Sequence, residues 1–310
     1  MTSLAQLLPI DWILACVALL LAVGGVGVVR PHNLFLVARV LFPLGAALSL
    51  LIAIAALTAL FSVPQIAILP LGLPGLPFHL RLDPLSAFFL FLFGGTTAGI
   101  SIFAAGYFRK GEGTPPGLLC LQYHVFVASM ALIMLADDAY VFMVMWELMA
   151  LSSFFLVTAN HTIPEIRRAG YLYLLIAHIG ALAILLCFGV LQANTGDYTF
   201  ANMRAQELTP FWASIAFVLA LFGFGAKAGI VPLHIWLPEA HPAAPSPVSA
   251  LMSGVMLKTA IYGLLRIGFE VLQLQLAWWG VLALILGLVT ALFGVVFSAI
   301  QSDMKRLLAY

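Results

Sequence analysis

The chain has 310 residues, of which 64% are hydrophobic and 8% charged, with a mean hydropathy of +1.13 and a formal net charge of +1. Soluble domains carry about 25% charged residues, so the composition excludes that class and specifies an integral membrane protein. The balanced charge, without a basic run, gives no support to nucleic-acid binding, and three isolated cysteines (Cys16, Cys120 and Cys187) support neither a disulfide framework nor an iron–sulfur site.

Apolar runs long enough to span a bilayer occur at about 12–29, 40–61, 84–106, 118–136, 139–159, 170–191, 211–231, 247–265 and 275–300. Each holds roughly 17–25 residues, as a hydrocarbon core of ~30 Å requires. The sequence therefore predicts an all-α polytopic membrane protein with nine transmembrane helices. Asp11 precedes the first run, which lacks a basic n-region and a small-residue cleavage site, so it reads as a span and not a removed signal. Three sections follow: residues 1–110 with helices one to three, 118–267 with helices four to eight, and 275–310 with helix nine.

The loop at 62–82 is rich in proline and glycine (Pro64, Pro70, Gly72, Pro74, Gly75, Pro77), and its alternation through Phe78, Leu80 and Leu82 predicts a short extended hairpin over the membrane surface. Asp83-Pro84 then opens the third span, with Asp83 as N-cap. With the N-terminus outside, the cytoplasmic loops hold Arg30, Arg39, Arg109, Lys110, Arg167, Arg168, Lys305 and Arg306. The outer loops hold Arg81, Arg204 and Arg266. Eight against three fixes an N-out orientation. Trp236, Trp278 and Trp279 are expected at membrane interfaces.

Three ionisable residues fall inside spans, where charge is expensive and marks functional sites. Glu147 lies eight residues past Ala139, so about 12 Å deep at 1.5 Å per residue. Lys227 sits among small residues in the seventh run, and Lys258 near the middle of the eighth. A neutral Glu147 hydrogen-bonded to a neighbouring helix is the simpler reading. A carboxylate paired with an intramembrane lysine is the functional one, because varying the separation of such a pair switches a proton on and off. Pro232, Pro238 and Pro242 are expected to break the seventh helix, and freed backbone at that depth must meet protein or water. His234 and His241 follow the break and are proton-relay candidates, against satisfied core histidines as the alternative. His124 and His178 are secondary candidates, for which a packing role is the simpler reading. No third ligand clusters with any of these, so no metal site is expected; no catalytic centre is expected either, and no cofactor in this chain.

Three segments, MWELMALSSFFLV, FGAKAGIVPLHIWLPEAHPAAPSPVSALMSGVMLKTAIYGLLR and the terminal SDMKRLLAY, resemble the antiporter-like proton-translocating subunits. These occur in respiratory complex I, in Mrp-type sodium/proton antiporters and in membrane-bound hydrogenases. The resemblance covers about residues 80–310, and LMSGVMLKTAIYG, the HPAAPSPVSA break and LYLLIAHIGALAILLCFGVL lean towards the hydrogenase-4/formate hydrogenlyase type. It implies about 14 helices in two inverted five-helix units, spans four to eight being the first unit, with the seventh helix broken. It makes Glu147 the fifth-helix glutamate, Lys227 the lysine of the broken helix and Lys258 the eighth-helix lysine that passes protons on, with His234 and His241 beside it.

The function so implied is proton translocation within a redox-driven complex of hydrogenase or NADH–quinone oxidoreductase type. A Mrp-type sodium/proton antiporter subunit and a membrane anchor without transport are the alternatives. Other membrane subunits, the lipid bilayer and protons (or sodium) are the implied partners, and the cytoplasmic membrane of a bacterium or archaeon the implied location. The sequence stops at Tyr310, where that family begins its tenth helix, so a C-terminally truncated or split form is expected.

Overall fold

A computed structural model describes residues 7–108, 113–193 and 196–310. Among them, nine helices are long and apolar enough to cross a membrane. The first two are α1 (Pro9–Val29) and α2 (Leu34–Ala59). Next come the strands β1 (Gln65–Leu73) and β2 (Leu76–Leu82), then α3 (Pro84–Tyr107), α4 (Pro116–Leu135), α5 (Ala139–Val157) and α6 (Pro164–Gln192). A short surface helix, α7 (Phe200–Ala205), leads into α8 (Pro210–Ala228) and, past a break, the short α9 (Leu237–Ala243). The chain ends with α10 (Ser246–Val271), α11 (Ala277–Ala299) and the short α12 (Met304–Ala309). Arg109 and Lys110, two of the expected cytoplasmic residues, lie outside the described residues.

The hairpin forms as its alternation requires. β1 and β2 pair antiparallel, with Gln65 opposite Leu82 and Leu69 opposite Phe78, and the register shifts between Leu69 and Gly72, where Pro70 has no N–H to give the ladder. Pro74 and Gly75 make the two-residue turn, and Gly75 takes φ +83°, a conformation that favours glycine. The hairpin docks on the turn between α4 and α5: Asp137 N–H donates to the His79 carbonyl, and His79 N–H donates to the Asp138 carboxylate at 3.0 Å. Asp83 caps α3 by accepting from the Ser86 N–H at 2.9 Å.

Burial orders the bundle. In α4, 72% of the membrane-crossing window is buried, so this is the central helix; in α11 only 6% is, so that helix lies at the edge. α6 and α8 approach closely because they meet at glycines. A β-carbon on Gly223 would stand 2.7 Å from the Gly180 carbonyl oxygen, and one on Gly180 would stand 3.0 Å from that of Gly223. Small residues that let backbones touch are how helices pack in lipid.

The seventh span breaks between Gly229 and Pro232. Gly229 ends α8 in the left-handed conformation (φ +79°), and the Val231–Pro232 peptide is cis. Ile230 N–H reaches five residues back to the Gly225 carbonyl, which releases the Ala226 carbonyl, and Trp236 Nε1 donates to it at 2.9 Å. Trp236 is thereby 1% exposed, not at an interface as expected. It is part of the repair of the broken helix. Trp279 is buried too, stacked 4.7 Å from Phe217, and of the three tryptophans only Trp278 lies open. Pro238 sits in the first turn of α9, where a missing N–H is harmless, and Pro242 in its last turn.

Candidate functional site

Lys227 ends α8 inside the bundle and is 2% exposed. Its Nζ donates to the Tyr173 hydroxyl of α6 at 2.6 Å. That hydroxyl lies 2.5 Å from Ser153 Oγ of α5, which also donates to the Met149 carbonyl at 2.6 Å. The Tyr173 ring packs 5.0 Å from Trp236, so the repaired break and the lysine share one wall. Three helices thus deliver an amine and two hydroxyls to one point in an apolar interior. Neither Tyr173 nor Ser153 was singled out in the sequence.

The expected pairing of Glu147 with an intramembrane lysine is not formed; among the described residues no ion pair joins it to Lys227 or Lys258. Glu147 turns to His178 of α6, Nε2 to Oε2 3.4 Å, and both side chains are partly exposed. The helical repeat is the reason. Ser153 is six residues beyond Glu147, about 240° around the helix, so the serine faces inward and the glutamate outward. Likewise Tyr173 and His178 are five residues apart and point to different faces. Glu147 nonetheless acts electrostatically on Tyr173 and Lys227. His178, a secondary candidate from sequence, is therefore the direct partner of Glu147, and its Nδ1 lies 2.9 Å from the Leu174 carbonyl of its own helix.

Lys258 lies within the eighth span but on an exposed face, a correction to the expectation of burial. Its Nζ donates to the Ser253 carbonyl at 2.6 Å. The backbone there is π-helical over Met252–Met256, with Leu257 N–H reaching Met252, five residues back; such turns leave carbonyls accessible and recur at functional sites. His241 is buried, its Nδ1 2.8 Å from Ser249 Oγ, with Nε2 unpartnered among the described residues. Lys305 of α12 donates to the nearby Ala244 carbonyl at 2.9 Å. His234 packs edge-on against Phe293 with ring centroids 4.8 Å apart, and its buried Nδ1 is likewise unpartnered. His124 is fully buried at the contact with α2, Nδ1 2.8 Å from the Cys120 carbonyl, and lies apart from the lysine cluster. Among the described residues no three His, Cys, Asp or Glu side chains gather as metal ligands.

A second polar centre, not expected from the sequence, closes the hairpin end of the bundle. Arg266, expected in an outer loop, is 2% exposed inside α10. It donates to Asp83 at 2.5 and 2.9 Å, to Ser86 Oγ at 2.7 Å and to the Tyr262 hydroxyl at 2.8 Å. It also pairs with Glu270, as do Arg81 and Arg204, and Arg81 lies 3.0 Å from Asp137. Three arginines thus face Asp83, Asp137 and Glu270. Burial works to raise the Asp83 carboxyl, but the Arg266 hydrogen bonds and charge outweigh it and hold it at about 2. At Asp137 burial prevails over the arginines and pushes the carboxyl up. The three outer arginines of the loop count share this end, while Arg30, Arg39, Arg167, Arg168, Lys305 and Arg306 belong to the other.

Comparison with known proteins identifies relatives of the chain. Residues 136–310 match the family described as NADH:quinone oxidoreductase/Mrp antiporter, TM. Hydrogenase-4 component B of Escherichia coli K12 is 44% identical over 233 residues, 74% of this chain and 34% of that protein. NADH-quinone oxidoreductase subunit M of the same organism is 30% identical over 247 residues, 76% of this chain and 48% of the relative. Among solved structures, the Mrp complex from Dietzia sp. DQ12-45-1b superposes with a TM-score of 0.81 at 28% identity, covering 96% of this chain and 32% of that one. The chain thus spans about a third to a half of the length of these relatives.

Proposed function

Because the chain belongs to the NADH:quinone oxidoreductase/Mrp antiporter membrane family, we propose that it is an antiporter-like subunit that translocates protons within a redox-driven membrane complex. The observation that carries the reading is the enclosed amine of Lys227, 2% exposed in an apolar bundle and held by Tyr173 and, through it, Ser153. An ionisable group at that depth with hydroxyls in series is a relay: a proton on the amine can pass through the hydroxyl chain or along the broken-helix wall. Glu147 with His178 serves as the entry station on one exposed face. His234 and His241, with their unpartnered ring nitrogens, and Lys258 on α10 serve as stations towards the neighbouring subunit.

The chain then carries no redox cofactor, and electrons are handled by partner subunits. The 44% identity to a hydrogenase-4 component favours an oxidoreductase assembly, and the proposed location is the cytoplasmic membrane of a bacterium or archaeon. A sodium/proton antiporter subunit is the second reading, favoured by the superposition on the Mrp complex. The test is proton uptake by proteoliposomes holding the whole complex. Lys227→Ala and Glu147→Gln should each abolish most uptake while assembly survives; unchanged pumping with Lys227→Ala sinks the mechanism. Sodium-dependent flux that persists without any electron donor would select the antiporter reading.

A further inference from the structure

Between α4, α5 and α6, at the end of the bundle that bears Arg30 and Arg167, lies a groove of about 660 Å³. Its walls are apolar: Leu118, Phe154, Phe155 and Leu174. Thr114 and Thr158 line it with hydroxyls already donated to the Ala159 and Phe154 carbonyls; its other polar side chains are Arg167 and His161 at the mouth, Tyr171 at the side, and Gln122, six residues into α4 and so about 9 Å below the start of that helix. From Arg167 to Leu174 the groove follows α6 for seven residues, about 10 Å of depth.

These polar groups are under-used. Arg167 engages only Nη1, on the His161 and Thr162 carbonyls at 2.7 and 3.1 Å. Among the described residues its remaining N–H groups have no acceptor and its charge no carboxylate partner. Gln122 and the Tyr171 hydroxyl likewise make no hydrogen bond among the described residues. A bare amide below a membrane surface is expensive unless something polar meets it. The groove therefore asks for a ligand that is anionic at the mouth, carries hydrogen-bond acceptors just below, and is hydrocarbon deeper in.

We propose that this groove binds one anionic phospholipid. Its phosphate sits at Arg167 with His161 beside it, its glycerol region lies among Leu118, Phe154 and Phe155, its ester carbonyls accept from Gln122 and Tyr171, and an acyl chain runs on past Leu174. Basic pockets between transmembrane helices take anionic headgroups on charge alone, and the volume is that of an ordinary ligand site. A zwitterionic lipid would bring its ammonium up to Arg167 and Arg168, with exposed Glu165 as the sole carboxylate of that turn among the described residues. A protein partner would have to supply an anion to Arg167 and acceptors to Gln122 and Tyr171 further along the groove, which one phospholipid does by its own construction.

The experiment takes the assembled complex in phosphatidylcholine nanodiscs containing rising fractions of a phosphatidylglycerol with a photoreactive acyl chain, and maps labelled peptides by mass spectrometry. Saturable labelling of 114–122 and 154–174, displaced by unlabelled phosphatidylglycerol and not by phosphatidylcholine, is the expected result. Arg167→Gln should raise the half-saturating fraction about fivefold or more, the effect of one basic residue at a headgroup. Arg168→Gln, one position away on the same turn but outside the groove lining, should change it less than Arg167→Gln does. Gln122→Leu, which leaves the helix intact, should raise it by an intermediate factor and decides the matter should Arg167→Gln fail to assemble. Labelling spread evenly over the lipid-facing helices, equal responses to the two arginine variants, an unaltered response to Gln122→Leu, or a neighbouring subunit's peptide seated in the groove would each overturn the assignment.

Discussion

Tyr173→Phe is the sharpest probe of the proposed interior relay. The substitution removes one oxygen and keeps the ring that packs 5.0 Å from Trp236. That oxygen accepts from Lys227 Nζ at 2.6 Å and lies 2.5 Å from Ser153 Oγ. Because Lys227 is 2% exposed, water does not replace the lost partner freely. A hydrogen bond to a charged group contributes about 1.5–3 kcal/mol. The protonated amine should therefore lose roughly a 10- to 150-fold share of its population relative to the neutral one. Proton uptake by proteoliposomes of the whole complex should fall by at least about tenfold. Thermal stability should change far less, since the neutral amine needs no strong acceptor and the packing is kept. Ser153→Ala should give a smaller loss in the same direction. Full uptake by the Tyr173→Phe variant, at normal assembly, would refute the claim that the hydroxyl carries protons and leave it a packing contact.

Asp83→Asn preserves the helix cap but leaves buried Arg266 without its main counter-charge, so thermal denaturation in detergent should show a loss of about 3–5 kcal/mol. The Asp83 carboxyl is held at about 2, below its ordinary 3.8, so the clamp contributes fully above pH 4, weakens as pH falls towards 2, and this acid-labile component should be absent from the variant. Gly223→Val places a β-carbon 2.6 Å from Ile184 Cγ1 and 2.7 Å from the Gly180 carbonyl. It should destabilise by about 1–3 kcal/mol and, by parting α6 from α8, lower proton uptake; Gly189→Ala, with open space around it, should do neither. For orientation, maleimide should reach Arg168→Cys from the cytoplasmic face and Leu73→Cys, in the hairpin, from outside; the reverse pattern would overturn the N-out assignment.

The spans, the hairpin and the Asp83 cap were legible because each rests on a local signal: unbroken apolar length, period-two alternation, an Asp-Pro start. Lys227, Glu147 and Lys258 were legible as anomalies, since charge inside an apolar run stands out without any knowledge of the fold. What the sequence did not carry is which side of its helix each residue faces relative to the rest of the bundle. Depth alone points Glu147 to an intramembrane lysine, whereas the helical repeat turns it to His178. Tyr173 and Ser153 gave no signal, because hydroxyls are common in apolar helices and only contact with Lys227 distinguishes them. The apolar run ends near Arg266, which on sequence alone places it in a loop. Its burial comes from Asp83, 183 residues earlier in the chain, and no window over one segment holds both.

The polar groups also divide by exposure, and the division bears on how such a subunit works. Lys227 is enclosed, so its proton can leave only through neighbouring side chains or through space opened at the Gly229–Pro232 break. Glu147 with His178, and Lys258, stand on exposed faces of the same bundle. Charge left facing lipid at mid-membrane is disfavoured by about 2.5–3.5 kcal/mol per group, and a single internal carbonyl, as Lys258 finds at Ser253, offsets only part of that. These two faces are thus where contact with neighbouring protein is most favourable, and any such contact changes the local field at a titratable group. Coulombic coupling across a low-dielectric bundle is strong enough for the change to be felt at an enclosed amine several residues away. On the proposed function, one closed station between two open ones would let an event at one face alter proton occupancy in the interior without any large movement of the helices.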